Sequence, residues 1–101
     1  MDNFGCIEAI KALGEVHRLR ILRLLLSASF GVNDLATKLG MSQYNVSKHL
    51  RVLREAGLVE CQQEGRLRVY GLAETFRHRI SSEGMVLDLG CCQFDFRKLP
   101  K

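Results

Sequence analysis

Residues 39–57, Leu-Gly-Met-Ser-Gln-Tyr-Asn-Val-Ser-Lys-His-Leu-Arg-Val-Leu-Arg-Glu-Ala-Gly, constrain this chain more than any other stretch. Ser42 stands where a helix N-cap belongs, its hydroxyl placed to accept from the free N–H groups of the first turn. Val46, Leu50 and Leu53 then recur at helical spacing and draw one apolar stripe. The opposite face carries Gln43, Tyr44, Ser47, Lys48, Arg51 and Arg54, with no acidic residue before Glu55. Gly57 closes the helix as a left-handed C-cap. A short helix with one core stripe and an outer face of amides, hydroxyls and cations suits the DNA major groove. Amides and hydroxyls can read base edges there, while Lys and Arg meet phosphates.

The preceding residues supply a support for that helix. Residues 3–13 place Phe4, Ile7, Ile10 and Leu13 at helical intervals, and Gly14 breaks the pattern. Residues 15–26 predict a second helix, with Val16, Leu19, Leu22 and Leu26 on one face and Ile21 and Leu25 beside them. His17 near its start has no second metal-binding side chain nearby and reads as a surface or packing histidine. Residues 32–39 predict a third helix that turns Val32, Leu35, Ala36 and Leu39 inward, and Gly40 ends it. Two short helices joined by a glycine-containing turn make a helix-turn-helix.

The residues after Gly57 strengthen that assignment. Residues 58–63 and 66–70 are two extended runs around Glu64-Gly65, where glycine supplies the positive φ of a hairpin turn. A β-hairpin directly after a recognition helix is a wing, and it brings Arg66 and Arg68 within reach of flanking phosphates or the minor groove. Residues 73–82 predict a fifth helix with Phe76 and Ile80 as its contacts. Residues 85–89 form an apolar run, and Gln93-Phe94-Asp95-Phe96-Arg97 alternates as a strand does. The expected fold is mainly α with a β-hairpin wing.

A length of 101 residues allows one compact domain, and 47% hydrophobic residues allow a modest core that a dimer partner would extend. No apolar run approaches the roughly 20 residues of a membrane span. The N-terminus lacks the basic and apolar regions of a secretory signal, so a cytoplasmic location away from membranes is expected. The net charge of +4 is concentrated at Lys48, Arg51, Arg54, Arg66 and Arg68, against Glu55, Glu60 and Glu64. That excess fits an acidic polymer as partner, although a solvated basic surface would fit charge alone equally well.

Asp34-Leu35-Ala36, Leu39-Gly40, Ser42-Gln43, Val46-Ser47, His49-Leu50, Leu53, Ala56-Gly57-Leu58-Val59, Glu64-Gly65-Arg66 and Val69-Tyr70 together resemble the winged-helix arsenic- and metal-responsive repressors, the ArsR/SmtB family. The similarity runs from His17-Arg18-Leu19-Arg20-Ile21-Leu22 to about Leu72. It implies a homodimer, built largely from the first and last helices, on a pseudo-palindromic double-stranded operator that an inducer releases. Dimerisation also makes physical sense, because one short helix reads too few base pairs. Residues 1–83 would form the DNA-binding and dimerisation domain and residues 84–101 an extended C-terminal segment. Within the first of these, Gln43 and Ser47 are the expected base readers, with Tyr44 at or near the groove. Lys48 and Arg51 would contact phosphates, and Arg66 and Arg68 would be the wing's contribution. His49 either faces the groove or packs against the core.

The family's inducer sites carry over only in part. The segment Gly31-Val32-Asn33-Asp34-Leu35-Ala36 lacks the cysteines of the third-helix thiol site. Glu74, His78 and Glu83 lack the second histidine of the fifth-helix zinc site. What remains is Cys91-Cys92, a vicinal pair of a kind some members carry for arsenite. Thiolates select soft ions, and trivalent arsenic or antimony favours three sulfurs, for which Cys6 is the better third donor. The site could lie within one subunit or between two. As(III) or Sb(III) is therefore the expected inducer, with no cofactor required for DNA binding. A thiol redox or reactive-sulfur sensor of the same fold is the alternative. Structural disulfides are not expected in a reducing cytosol, and Cys61 reads as a core or surface thiol. An enzyme is disfavoured, because Cys91-Cys92 has no Cys-x-x-Cys spacing, no evident general base and no phosphate-cradling loop. A protein-binding adaptor on this scaffold would not need a basic, amide-rich helix face.

Overall fold

The computed structural model describes residues 6–81 and 85–98. The roles expected of Asn3, Phe4, Ser82, Glu83 and Gly84 lie outside the described residues. Four helices come first: α1 (Cys6–Leu13), α2 (Val16–Leu25), α3 (Val32–Leu39) and α4 (Gln43–Glu55). A hairpin of β1 (Val59–Glu64) and β2 (Leu67–Leu72) comes next, then a single turn of helix, α5 (Glu74–Arg77). A second hairpin, β3 (Val86–Asp88) and β4 (Gln93–Asp95), leads into a 3-10 turn at Phe96–Lys98.

Caps explain where the helices begin and end. The Glu15 carboxylate accepts the Arg18 N–H at 2.9 Å to start α2, and the Ser42 hydroxyl accepts the Asn45 N–H at 3.1 Å to start α4. α3 and α4 end alike. Gly40 and Gly57 take φ values of 66° and 81°, and the next residue's N–H reaches back into the last turn. Met41 donates to the Ala36 carbonyl at 3.0 Å and Leu58 to the Leu53 carbonyl at 2.9 Å. This pattern satisfies otherwise orphaned carbonyls and fixes the exit direction of the chain. The turn between α3 and α4 is thus a set angle rather than a loose joint.

Leu35, Val46, Leu50, Leu53 and Leu58 pack with Ile21, Leu22 and Leu25 in one continuous core. Each such side chain, fully buried, stabilises the fold by about 1.5–3 kcal/mol. β1 and β2 pair antiparallel with Cys61 opposite Tyr70 and Glu64 opposite Leu67. Phe30 adds a short third rung by exchanging backbone bonds with Tyr70 at 3.0 and 2.8 Å. Gly71 permits that approach, because a Cβ there would lie 2.7 Å from the Ser29 hydroxyl.

Several elements depart from the sequence expectation. α1 buries Ala9, Ala12 and Leu13, whereas Ile7 and Ile10 are 64% and 39% exposed. The small alanine face fits the close approach to this chain's own core, and the isoleucines face outward. On α2 the buried residues are Ile21, Leu22 and Leu25, so the stripe is rotated from the one expected, and Val16 is exposed. α5 stops at Arg77 because the chain turns back to pair with the next segment. The Asp88 N–H donates to the Arg79 carbonyl and the Ser81 N–H to the Val86 carbonyl, both at 2.8 Å. The alternating run after Cys92 is strand through Asp95, and then Phe96 turns fully into the core beside Leu87 and Leu89.

Candidate nucleic-acid interface and thiol site

α4 separates its two faces cleanly. Val46, Leu50 and Leu53 are buried, while Gln43, Tyr44, Ser47, Lys48 and Arg51 are exposed. Tyr44 is 72% exposed, a large outlay of aromatic surface for a residue with no internal packing role. The Lys48 ammonium lies 5.4 Å from the centre of its ring, which holds the lysine along the helix by cation–π attraction. Asn45, absent from the expected set, is also exposed in the first turn. Its signal in the sequence is its place beside the cap, where the helix N-terminus and a second amide meet.

The wing presents Arg66 and Arg68, both exposed. Its two-residue turn has Gly65 at φ 64°, and the Gln63 side chain braces it by donating to the Gly65 carbonyl at 2.9 Å. At the wing's base the half-buried Cys61 stands directly across the hairpin from Tyr70. Burial first, and the neighbouring Cys61 thiol second, push the Tyr70 hydroxyl above its ordinary pKa of 10.0. Cys61 is a packing thiol there, one of the two roles open to it in the sequence.

His49 resolves the alternative that the sequence left open. Its side chain is 20% exposed and its Nδ1 lies 4.0 Å from the Glu15 carboxylate. The Arg18 guanidinium approaches the same nitrogen at 3.4 Å, and the His17 ring stands 5.8 Å away. His49 therefore packs against the α1–α2 junction and not into the reading face. Burial, first, lowers its pKa from 6.5; the Glu15 charge opposes that shift and the Arg18, His17 and Lys48 charges add to it. Burial would raise the Glu15 carboxyl, but the Arg18 backbone hydrogen bond and the His49 charge outweigh it, and its pKa is lowered from 4.5.

The cysteines give the largest correction. Cys6, the first residue of α1, is joined to Cys91 in a disulfide, with their Cα atoms 6.5 Å apart. Thiol partners 85 residues apart in sequence meet because the C-terminal hairpin folds back over α1. At its tip Gly90 adopts φ 89° and donates to the Asp88 carboxylate at 2.8 Å, while Leu89 N–H donates to the Cys92 carbonyl at 2.9 Å. Beyond the tip, the Arg97 guanidinium grips Asp95 with two bonds of 2.9 Å and holds its carboxyl down at about 2. Cys91 is exposed and bonded, and its neighbour Cys92 is a free, half-buried thiol.

Of the expected trio, Cys6 and Cys91 are bonded to each other within one chain, and Cys92, next in sequence, is a free thiol. Among the described residues no group of three His, Cys, Asp or Glu side chains could hold a metal ion. A disulfide sulfur is not a thiolate, so a three-sulfur metalloid site requires reduction first.

A helix-turn-helix joined directly to a two-stranded hairpin, with an exposed cationic and amide face on the second helix, defines a winged helix-turn-helix protein. Residues 16–60 match the family described as "Bacterial regulatory protein, arsR family". The chain is 41% identical over 78 residues to the transcriptional regulator NmtR of Mycobacterium tuberculosis, covering 77% of this chain and 65% of that protein. Its fold is similar to reduced HlyU from Vibrio cholerae, with a TM-score of 0.63, 33% identity, and coverage of 77% of this chain and 75% of that one. It is also similar to the homodimeric winged helix-turn-helix DNA-binding domain of Mb0332 from Mycobacterium bovis, described as a possible ArsR-family transcriptional regulator. That match has a TM-score of 0.68 and 36% identity, and covers 72% of this chain and 68% of the other. The chain belongs to the arsR family of bacterial regulatory proteins, which is a family of regulators and not of enzymes. It spans 62–65% of the length of the first curated relatives it matches. No helix among the described residues is long and apolar enough to cross a membrane.

Proposed function

We propose that this chain is a cytoplasmic, homodimeric transcriptional repressor whose grip on double-stranded operator DNA is set by the oxidation state of Cys6 and Cys91. α4 enters the major groove, with Gln43 and Ser47 on base edges, Tyr44 beside them, and Lys48 and Arg51 on phosphates. Arg66 and Arg68 hold the flanking backbone. The outward Ile7 and Ile10 of α1 supply an apolar face for a second copy, whose two-fold symmetry would present two recognition helices about one helical turn of DNA apart.

The observation that carries this reading is the Cys6–Cys91 link between that same helix and the C-terminal hairpin. In a reducing compartment such a bond is transient, and transient cytosolic disulfides are redox-sensing or catalytic. Its formation removes two thiol protons and two electrons, which an incoming low-molecular-weight disulfide accepts as it becomes two thiols. Restraining α1 then alters the spacing of the paired recognition helices. The oxidised dimer has the lower operator affinity, since a signal that binds or modifies both states equally shifts nothing.

Trivalent arsenic or antimony is a second reading, favoured by the free Cys92 adjacent to Cys91. It applies to the reduced protein, whose three thiols could then converge on one metalloid. Fluorescence anisotropy on the chain's own upstream DNA separates the two. The reduced protein is titrated with oxidised glutathione and, in parallel, with arsenite. Release by the disulfide alone supports the redox reading, release by arsenite alone replaces it with the metalloid one, and absence of binding refutes both.

A further inference from the structure

The recognition helix is tied to the far end of the helix that carries Cys6. Arg18, on α2, makes three contacts with one guanidinium. Its Nε donates to the Ala12 carbonyl at 2.6 Å, and its Nη2 donates to the Lys11 carbonyl at 3.3 Å. Its Nη1 lies 3.4 Å from His49 Nδ1. The first two are carbonyls of the last turn of α1, where a helix runs short of intrahelical donors and favours a cation; the Lys11 carbonyl also accepts the Gly14 N–H at 3.3 Å. The third is on α4. Arginine has donors and no acceptor, so His49 Nδ1 accepts and the ring proton sits on Nε2.

α1 is 8 residues long, about 12 Å at 1.5 Å per residue. Within it, successive intrahelical hydrogen bonds connect the two ends. Its first residue is bonded to the C-terminal hairpin, and its last carbonyls are held by the fork that holds α4. A tilt at one end displaces the acceptors at the other. We infer that Arg18 is a positioning residue that passes the state of the Cys6–Cys91 link, through α1, to the recognition helix at His49.

The local charges give this link a readable signature. Glu15, His17 and Arg18 face His49 from α2 and its cap, and Lys48 adjoins it on α4. While Arg18 donates to Nδ1, protonation of that nitrogen is opposed. Once the fork moves away, the Glu15 carboxylate 4.0 Å off is free to draw a proton onto it.

The inference rests on the thiol reading above but is tested separately from it. NMR titration of the His49 ring in the whole chain, disulfide-bonded and reduced, reads the junction without DNA. The expected result is a His49 midpoint that moves to higher pH on reduction. Arg18→Gln should abolish that movement. Arg18→Lys should abolish it too, since lysine keeps the charge but cannot hold three acceptors in one plane. A midpoint identical in both redox states of the parent protein, or a movement that survives in either variant, overturns the inference. If a variant fails to fold, the parent's own midpoints in the two states decide. A His49 midpoint that moves while operator affinity stays the same in both states would uphold the coupling and sink the thiol reading. If both respond, the Arg18 variants should bring the reduced-to-oxidised affinity ratio toward one, and a ratio that persists in a folded variant counts against the inference.

Discussion

The proposed reading half and the proposed sensing half of this molecule are held by different forces. α3, α4 and the wing are fixed by a dense set of buried leucines and valines, two glycine-closed helix ends and a hydroxyl cap. The C-terminal hairpin has three-residue strands, anchors itself through Leu87, Leu89 and Phe96, and is tied to α1 by one covalent bond. A recognition helix must keep one shape to read bases. A sensor must have two states, so it is built where a single chemical change removes a large share of the restraint.

Removing the link itself puts that contrast under the greatest strain. By chain entropy, a bond closing a loop across 85 residues of sequence is worth about 4.6 kcal/mol. Cys6→Ser should therefore lower the urea-unfolding free energy of the oxidised protein by about that amount and leave the reduced protein unchanged. In the reading half, Leu50→Ala should cost about 3 kcal/mol in both redox states, because it empties a buried site that the link does not touch. A loss seen only in the oxidised protein would mean that the two halves share one scaffold.

DNA binding separates roles within the reading half. Gln43→Ala should cost about 1–3 kcal/mol of discrimination between operator and mismatched DNA. Lys48→Ala should instead weaken all sequences alike and reduce the slope of log affinity against log salt by about one. Anisotropy across several salt concentrations distinguishes them. Ser42→Ala, which removes the cap of α4, should destabilise by about 1 kcal/mol.

The smallest effect is that of pH. His49 has a folded pKa below its ordinary 6.5, so the unfolded chain takes up its proton first as pH falls. Its contribution to stability is full above about 6.5 and is lost as pH drops through the folded value. Glu15, also lowered, contributes above the ordinary carboxylate range and is lost as pH falls through its own folded value. His49→Gln should flatten thermal stability against pH in the mildly acidic range and leave the more acidic limb in place.

The DNA-reading half is legible in the sequence because its signals are local. Ser42, Gly40, Gly57 and Gly65 act within a turn of themselves, and the stripe of Val46, Leu50 and Leu53 has only one helical interpretation. α1 is harder to read for a physical reason. An apolar stripe such as Ile7 and Ile10 does not say whether it covers its own core or another chain's. α5 is shorter than its pattern suggests because the pull of β3 on Arg79 and Ser81 comes from later in the sequence. The family resemblance groups Cys6 with Cys91-Cys92, but nothing in either segment encodes that Cys6 and Cys91 bond to each other rather than share an ion. Arg18 carries no local signal of its role, because its three acceptors come from helices brought together only by folding.

Redox control of DNA binding stands or falls on the operator affinity of the parent protein, fully reduced and fully disulfide-bonded, beside that of Cys6→Ser under the same two treatments. The parent should lose at least about tenfold on oxidation, equivalent to about 1.4 kcal/mol, and Cys6→Ser should lose nothing. Equal affinity of the parent in both states, or the same loss in Cys6→Ser, would contradict it.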